Sequence, residues 1–95
     1  MVSSNGRLAK GTLVVGEVVA HHRWGIDLRL LSPYDGVVGL VDMMYITNER
    51  PFEPFADYPS VGQLVQAVVI TYTPSGQLRL SLRASDVDPA LEGRD

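Results

Sequence analysis

The side chains with the most chemistry in this chain stand together at His21-His22-Arg23-Trp24, with Arg29, Arg79 and Arg83 further along. An indole offers a flat apolar face on which another ring can stack, and guanidinium groups are permanent cations suited to phosphates. Trp24 with Arg23, Arg29, Arg79, Arg83 and His22 therefore forms a candidate set for single-stranded nucleic acid. Each member also has an ordinary reading. Trp24 can plug the end of a barrel, and the arginines can lie on a solvated strand face, paired with acids. Arg29 near Asp27 and Glu17 is a set of that kind.

Other chemistries find less support. His21 and His22 are adjacent, and neighbours on a strand point to opposite faces, so the two imidazoles do not converge on one ion. The chain has no cysteine, which removes disulfides, thiol nucleophiles and thiolate metal sites. No metal and no cofactor is expected. The serines and carboxylates are scattered, and no nucleophile, base and orienting group can be drawn from their spacing, so the expectation is a binding module and not an enzyme.

A second function class rests on the segment from Asp42 to Tyr58. Asp42, Glu49, Glu53 and Asp57 stand there among Met43, Met44, Tyr45, Phe52 and Phe55. Methionines and aromatics rimmed by charge suit a protein partner, so this 42–58 connection is a candidate interaction surface of an adaptor or regulatory domain. The alternative is that the same residues form a hydrophobic plug.

The elements that must position these groups are legible from periodicity. Leu78, Leu80 and Leu82 alternate with Gln77, Arg79, Ser81 and Arg83, a period of two that predicts a strand with one buried and one wet face. Before it, Leu64 to Tyr72 is an apolar, β-branched run, and Pro74-Ser75-Gly76 supplies the turn between the two strands. Ile26, Leu28 and Leu30 share one face of an earlier strand, opposite Asp27 and Arg29. Leu13 to Ala20 is dense in valine and contains Gly16, which marks a bulge, a bend, a close backbone approach or a merely weakened strand. Val37 to Val41 is a third short strand, interrupted by Gly39.

Strands are thus expected near 11–22, 24–31, 36–41, 62–73 and 76–83. Between the third and fourth, Asp42 can cap a turn or two of helix, and Pro51, Pro54 and Pro59 rule out a longer element. The prediction is an all-β, five-stranded antiparallel barrel of the OB-fold with a short helical insertion between strands three and four. A small open sandwich is the alternative. Residues 1–10 read as a flexible leader, 11–84 as the domain and 85–95 as a flexible tail.

Five stretches resemble the RNA-binding domain of the ribosomal-protein S-one type. Gly11-Thr12-Leu13-Val14-Val15-Gly16-Glu17-Val18 is similar to its opening strand, and Trp24-Gly25 to the aromatic-glycine pair that begins its second. Gly36-Val37-Val38-Gly39-Leu40-Val41 resembles its third, Val61-Gly62-Gln63 the lead-in to its fourth, and Leu80-Ser81-Leu82-Arg83 the end of its fifth. The resemblance covers roughly residues 8–84 and implies an RNA surface of five positions: two aromatics on strand two, a histidine after strand three, and an acid-base pair around the last hairpin. Here those positions are Trp24, Asp27, Asp42, Thr73 and Gln77. Only the first keeps its type, and two are acidic.

The whole chain has 95 residues and a formal net charge of −3, enough for one modest core. A nucleic-acid binder normally carries a basic balance, so any basic patch here must come from clustering. No apolar run is long enough for a membrane span, and the first ten residues hold no apolar stretch of a secretory signal. The expectation is a cytoplasmic protein with no membrane partner. It binds single-stranded RNA weakly, with little sequence preference, on the outer face of strands two, three and five.

Overall fold

Alternation along the chain is realised as five strands in a computed structural model that describes residues 6–93. They are β1 (Leu13–His22), β2 (Gly25–Leu30), β3 (Val38–Asp42), β4 (Leu64–Tyr72) and β5 (Leu78–Ser81). They close into a barrel in the order β1-β2-β3-β5-β4. Ile26, Leu28 and Leu30 point inward from β2 and meet Val18, Val41, Val69 and Leu80 in a continuous core. Burying an aliphatic side chain of this size contributes roughly 1.5–3 kcal/mol relative to exposure.

Closure requires one departure from an all-antiparallel sheet. Each of β1-β2, β2-β3, β4-β5 and β1-β4 is antiparallel, so β3 and β5 run the same way and must meet in parallel. The sheet is mixed, for reasons of parity alone. β1 makes this possible by pairing with two neighbours, β2 through Gly16–His22 and β4 through Leu13–Glu17. Gly16 sits where the two pairings overlap, and a Cβ there would lie 3.2 Å from Leu28 Cβ. The irregularity in register falls later, between Val18 and Ala20.

The helical element is also displaced from its expected place. Between β3 and β4 there is only a three-residue 3-10 turn, Met43–Tyr45, capped by Asp42, which accepts from Met44 N at 2.9 Å. The prolines of that connection stop anything longer. The α-helix comes after β5 instead, as α1 (Ala84–Glu92), in residues expected to trail off as a polar tail. Pro89 and the acids around it disguise the helix, whose buried contact is Val87. Asp86 stands in its first turn, where a carboxylate complements the helix dipole.

α1 packs against the outside of the barrel, and this changes β5. Ser81, expected on the wet face, is 0% exposed. Leu78 and Leu80 are buried as the alternation requires. At the other end, Leu8 joins the core, and its N–H donates to the Tyr72 hydroxyl at 3.0 Å. The core thus takes in one residue of the stretch expected as a leader. Met1 to Asn5 of that leader, and Arg94 and Asp95 of the tail, lie outside the described residues.

Candidate nucleic-acid interface

The turn between β1 and β2 is forced by its glycine. A Cβ on Gly25 would sit 2.0 Å from the Val41 carbonyl oxygen, and the residue has φ +153°. No other residue fits. With Gly25 locked against β3, the Trp24 carbonyl accepts from Met43 N at 2.8 Å. The Tyr58 hydroxyl donates to the carbonyls of His22 at 2.8 Å and Arg23 at 3.2 Å. The backbone under Trp24 is therefore held from two sides, and the indole itself stays 57% exposed.

Trp24 does not plug the barrel. Its ring lies parallel to that of His22, with centroids 4.8 Å apart and 1° between planes. His22 Nε2 is in turn 2.9 Å from Asp27 Oδ2. The imidazole, fixed by that carboxylate, backs one face of the indole and leaves the other open for a further ring. His21 points the other way, with Nε2 2.7 Å from the Pro59 carbonyl and its ring edge-on to Tyr58 at 5.1 Å. Among the described residues no group of three potential ligands gathers around a metal position.

The four arginines separate into two kinds. Arg29 is paired with Glu17 directly across from it on β1. Arg83 donates from Nε and Nη2 to Asp86, each at 3.0 Å, and lies over the Tyr45 ring at 4.3 Å. Arg23 and Arg79 have no ion pair among the described residues. Arg23 is exposed beside Trp24. Arg79 is half-buried on β5, and its Nε is closed to water without an acceptor.

Among the described residues, Asp86 and Tyr58 have shifted titration. The Asp86 carboxyl is held below its ordinary value by the Ser81 hydroxyl, which donates to it at 2.6 Å, and then by Arg83; partial burial opposes both. Burial pushes the Tyr58 hydroxyl up, and the negative charge of Asp42 adds to this.

The 42–58 connection divides as well. Tyr58 is 7% exposed and enters the core, with Phe52 packed partly against it, as a plug would be. Phe55 and Met44 are 50% and 51% exposed. The segment is tied to α1 through Asn48, whose side chain donates to Ser85 Oγ at 3.1 Å and accepts from Ser85 N at 3.0 Å.

The sequence placed Tyr45 with the candidate protein-partner surface of the 42–58 connection and gave Tyr72 no role beyond its strand. Both line a cleft between the 3-10 turn and the β4-β5 hairpin, together with Asp42, Thr73, Arg79 and Leu80. No local signal pairs the two: Tyr45 ends the 3-10 turn, Tyr72 ends β4, and nothing in the sequence marks Arg79 as an arginine that lacks a carboxylate among the described residues.

No protein-family model matches the chain. Solved structures do resemble it. One is the intact alpha subunit of aIF2 from Pyrococcus abyssi, 32% identical over 79% of this chain with a TM-score of 0.68. Another is a chain of the a/eIF2alpha-aDim2p-rRNA complex from Pyrococcus horikoshii OT3, 28% identical over 88% with a TM-score of 0.71. A third is GSP13 from Bacillus subtilis, 25% identical over 83% with a TM-score of 0.67. The chain carries an S-one-like OB-fold. It spans 28%, 51% and 58% of those three chains, in each case less than two thirds.

On this S-one-like barrel the five positions singled out by the resemblance fall on two patches. Trp24 and Asp27 belong to the stacked platform. Asp42 and Thr73 line the cleft, and Thr73 is tied to Gln77 across the hairpin by Thr73 N to the Gln77 carbonyl at 2.9 Å and Gln77 N to Thr73 Oγ1 at 3.0 Å. The registers Asp27↔Leu40 and Leu40↔Arg79 join the patches across the outer face of β2, β3 and β5.

Proposed function

We propose that this domain binds single-stranded RNA on the outer face of β2, β3 and β5, weakly and with little sequence preference, as a cytoplasmic binding module and not an enzyme. The observation that carries the reading is Trp24: an indole 57% exposed, stacked on His22 and braced from behind by Tyr58. An exposed ring held this firmly presents a face for a base without first having to be ordered. The likeness to a chain from a complex that contains rRNA supports the same reading.

The cationic track is short. Arg29 and Arg83 are engaged by carboxylates, which leaves Arg23 and Arg79 as the side chains best able to meet phosphates or base edges, with Asp27 and Asp42 nearby to oppose them. One platform and two available guanidiniums predict weak, salt-sensitive binding. Titration of the labelled protein with a short oligouridylate tests this. The Trp24 indole and the amides of Arg23 and Asp27 should shift, and the affinity should fall steeply with salt. No shift there at millimolar oligonucleotide would remove the reading.

A second reading has its own observation. Met44 and Phe55 are half exposed on the acidic 42–58 connection, which suits a protein partner with a basic surface. In that case charge reversal at Glu49 and Glu53 abolishes a protein complex, and oligonucleotide leaves Trp24 unmoved.

A further inference from the structure

The cleft beside the platform has a composition of its own. It has a volume of about 360 Å³, within the roughly 300–1,000 Å³ of small-molecule pockets. Tyr45 and Tyr72 line it, and a guanidinium lies over each ring: Arg83 at 4.3 Å from Tyr45, and Arg7 at 4.8 Å from Tyr72. These contacts fix the two rings as rigid walls. Arg79 lines the same cleft with its Nε–H closed to water and facing no acceptor. A buried donor in that state is poorly accommodated, and a small swing toward an arriving acceptor improves it. Asp42 supplies the opposite capacity. Oδ1 accepts from the Met44 N–H, and Oδ2 accepts no hydrogen bond among the described residues.

We propose that this cleft is a base-selective pocket that takes guanine, with Arg79 donating to its acceptor edge and Asp42 accepting from its amino edge. The inference rests on the nucleic-acid reading and adds one selective position to an otherwise sequence-tolerant surface. An arginine fork matches the O6 and N7 acceptors of guanine, and a carboxylate accepts from an amino group such as N2. Aromatic walls stack on any base, so the polar pair decides which one stays. Uracil has no amino group, and its one ring donor, N3–H, lies between two carbonyl oxygens that the Asp42 carboxylate repels. A bare phosphate is disfavoured by the same charge. Arg79 thus acts here on a base edge, and Asp42, which the resemblance alone marks as a lost contact, becomes a selecting group.

The test compares guanosine and uridine 5′-monophosphate, each titrated into the whole chain labelled for observation of backbone amides and arginine Nε–H groups. Guanosine monophosphate should shift the Arg79 Nε–H and the amides of Tyr45 and Thr73, and should bind at least about fivefold more tightly than uridine monophosphate, the low end of a bidentate base contact. Arg79→Lys keeps the charge but loses the fork, and should abolish that preference. Asp42→Asn keeps a side chain able to cap the 3-10 turn, and should reduce the preference as well. Equal affinity for the two nucleotides, or no response at Arg79 Nε–H, overturns the pocket. The platform is scored separately: an oligouridylate shift at Trp24 with no guanosine response at Arg79 sinks the pocket alone. A guanosine response at Arg79 with Trp24 silent upholds the pocket and sinks the platform.

Discussion

Ser81 Oγ donates to Asp86 Oδ2 across 2.6 Å, and this bond ties α1 to the outer wall of the barrel. Ser81 Oγ also accepts from Arg83 N at 3.2 Å, so one buried hydroxyl connects the end of β5, the first turn of α1 and the Arg83 ion pair. Because the folded state holds the Asp86 carboxyl below its ordinary 3.8, the unfolded chain takes up this proton more readily. The contribution of Asp86 to stability is therefore complete above about that pH and disappears as pH falls through the lower, folded value. Urea unfolding midpoints followed from neutral pH to below 3.8 should show this loss, and Asp86→Asn should flatten it. An equally steep acid limb in the variant would mean that other carboxylates govern it.

Removing the platform should weaken RNA binding by about the value of one stack. Trp24→Ala is expected to lose ~1–3 kcal/mol of affinity, with little change in the salt dependence. Isothermal titration at two salt concentrations separates these effects. A loss that vanishes at high salt would point to a charge effect and not to stacking.

Arg23 and Arg29 should behave differently, although both are exposed arginines near the platform. Arg23 has no ion pair among the described residues, while Glu17 already engages Arg29. Arg23→Ala should reduce the slope of log affinity against log salt by about 0.7, one phosphate contact on a single strand. Arg29→Ala should change it much less. The same large change for both would show that the Glu17 pair opens on binding.

Asp27 faces outward beside the platform and holds His22 at 2.9 Å. Asp27→Phe exchanges a charge that repels phosphate for a second ring on the same strand face. Oligonucleotide binding should tighten, and the fold should survive, since a partly exposed pair of this kind is worth only about 0–1 kcal/mol. Unchanged affinity in a folded variant would argue strongly against this face as an RNA surface.

Gly25→Ala should damage the fold itself. The added carbon meets a backbone oxygen at 2.0 Å, which only movement of β2 from β3 can relieve. A loss of roughly 3 kcal/mol or more is expected in denaturant unfolding. Gly39→Ala should be milder, because its nearest neighbours are the side chains of Leu80 and Leu78 at 2.7 and 3.1 Å.

What the sequence by itself determined is the part that follows from the period of a strand. Ile26, Leu28 and Leu30 had to share a face, as did Leu78 and Leu80, and five such segments with turn residues between them left few folds open. The alternation that places Asp27 outward is equally local. What covers an outward face is not local, and only the tertiary structure decided it. Ser81 has the period of an exposed residue and is buried, because α1 folds back over it from a stretch whose proline and acids conceal a helix. Arg29 and Arg83 look as available as Arg23 and Arg79 in the sequence, yet each finds a carboxylate on a neighbouring strand or helix. The cleft between Tyr45 and Tyr72 joins residues 27 positions apart, an encounter that exists only because closure brings β3 and β5 together in parallel. Periodicity is a property of the backbone, whereas the partners of an outward side chain depend on which distant segment the closed barrel brings alongside it.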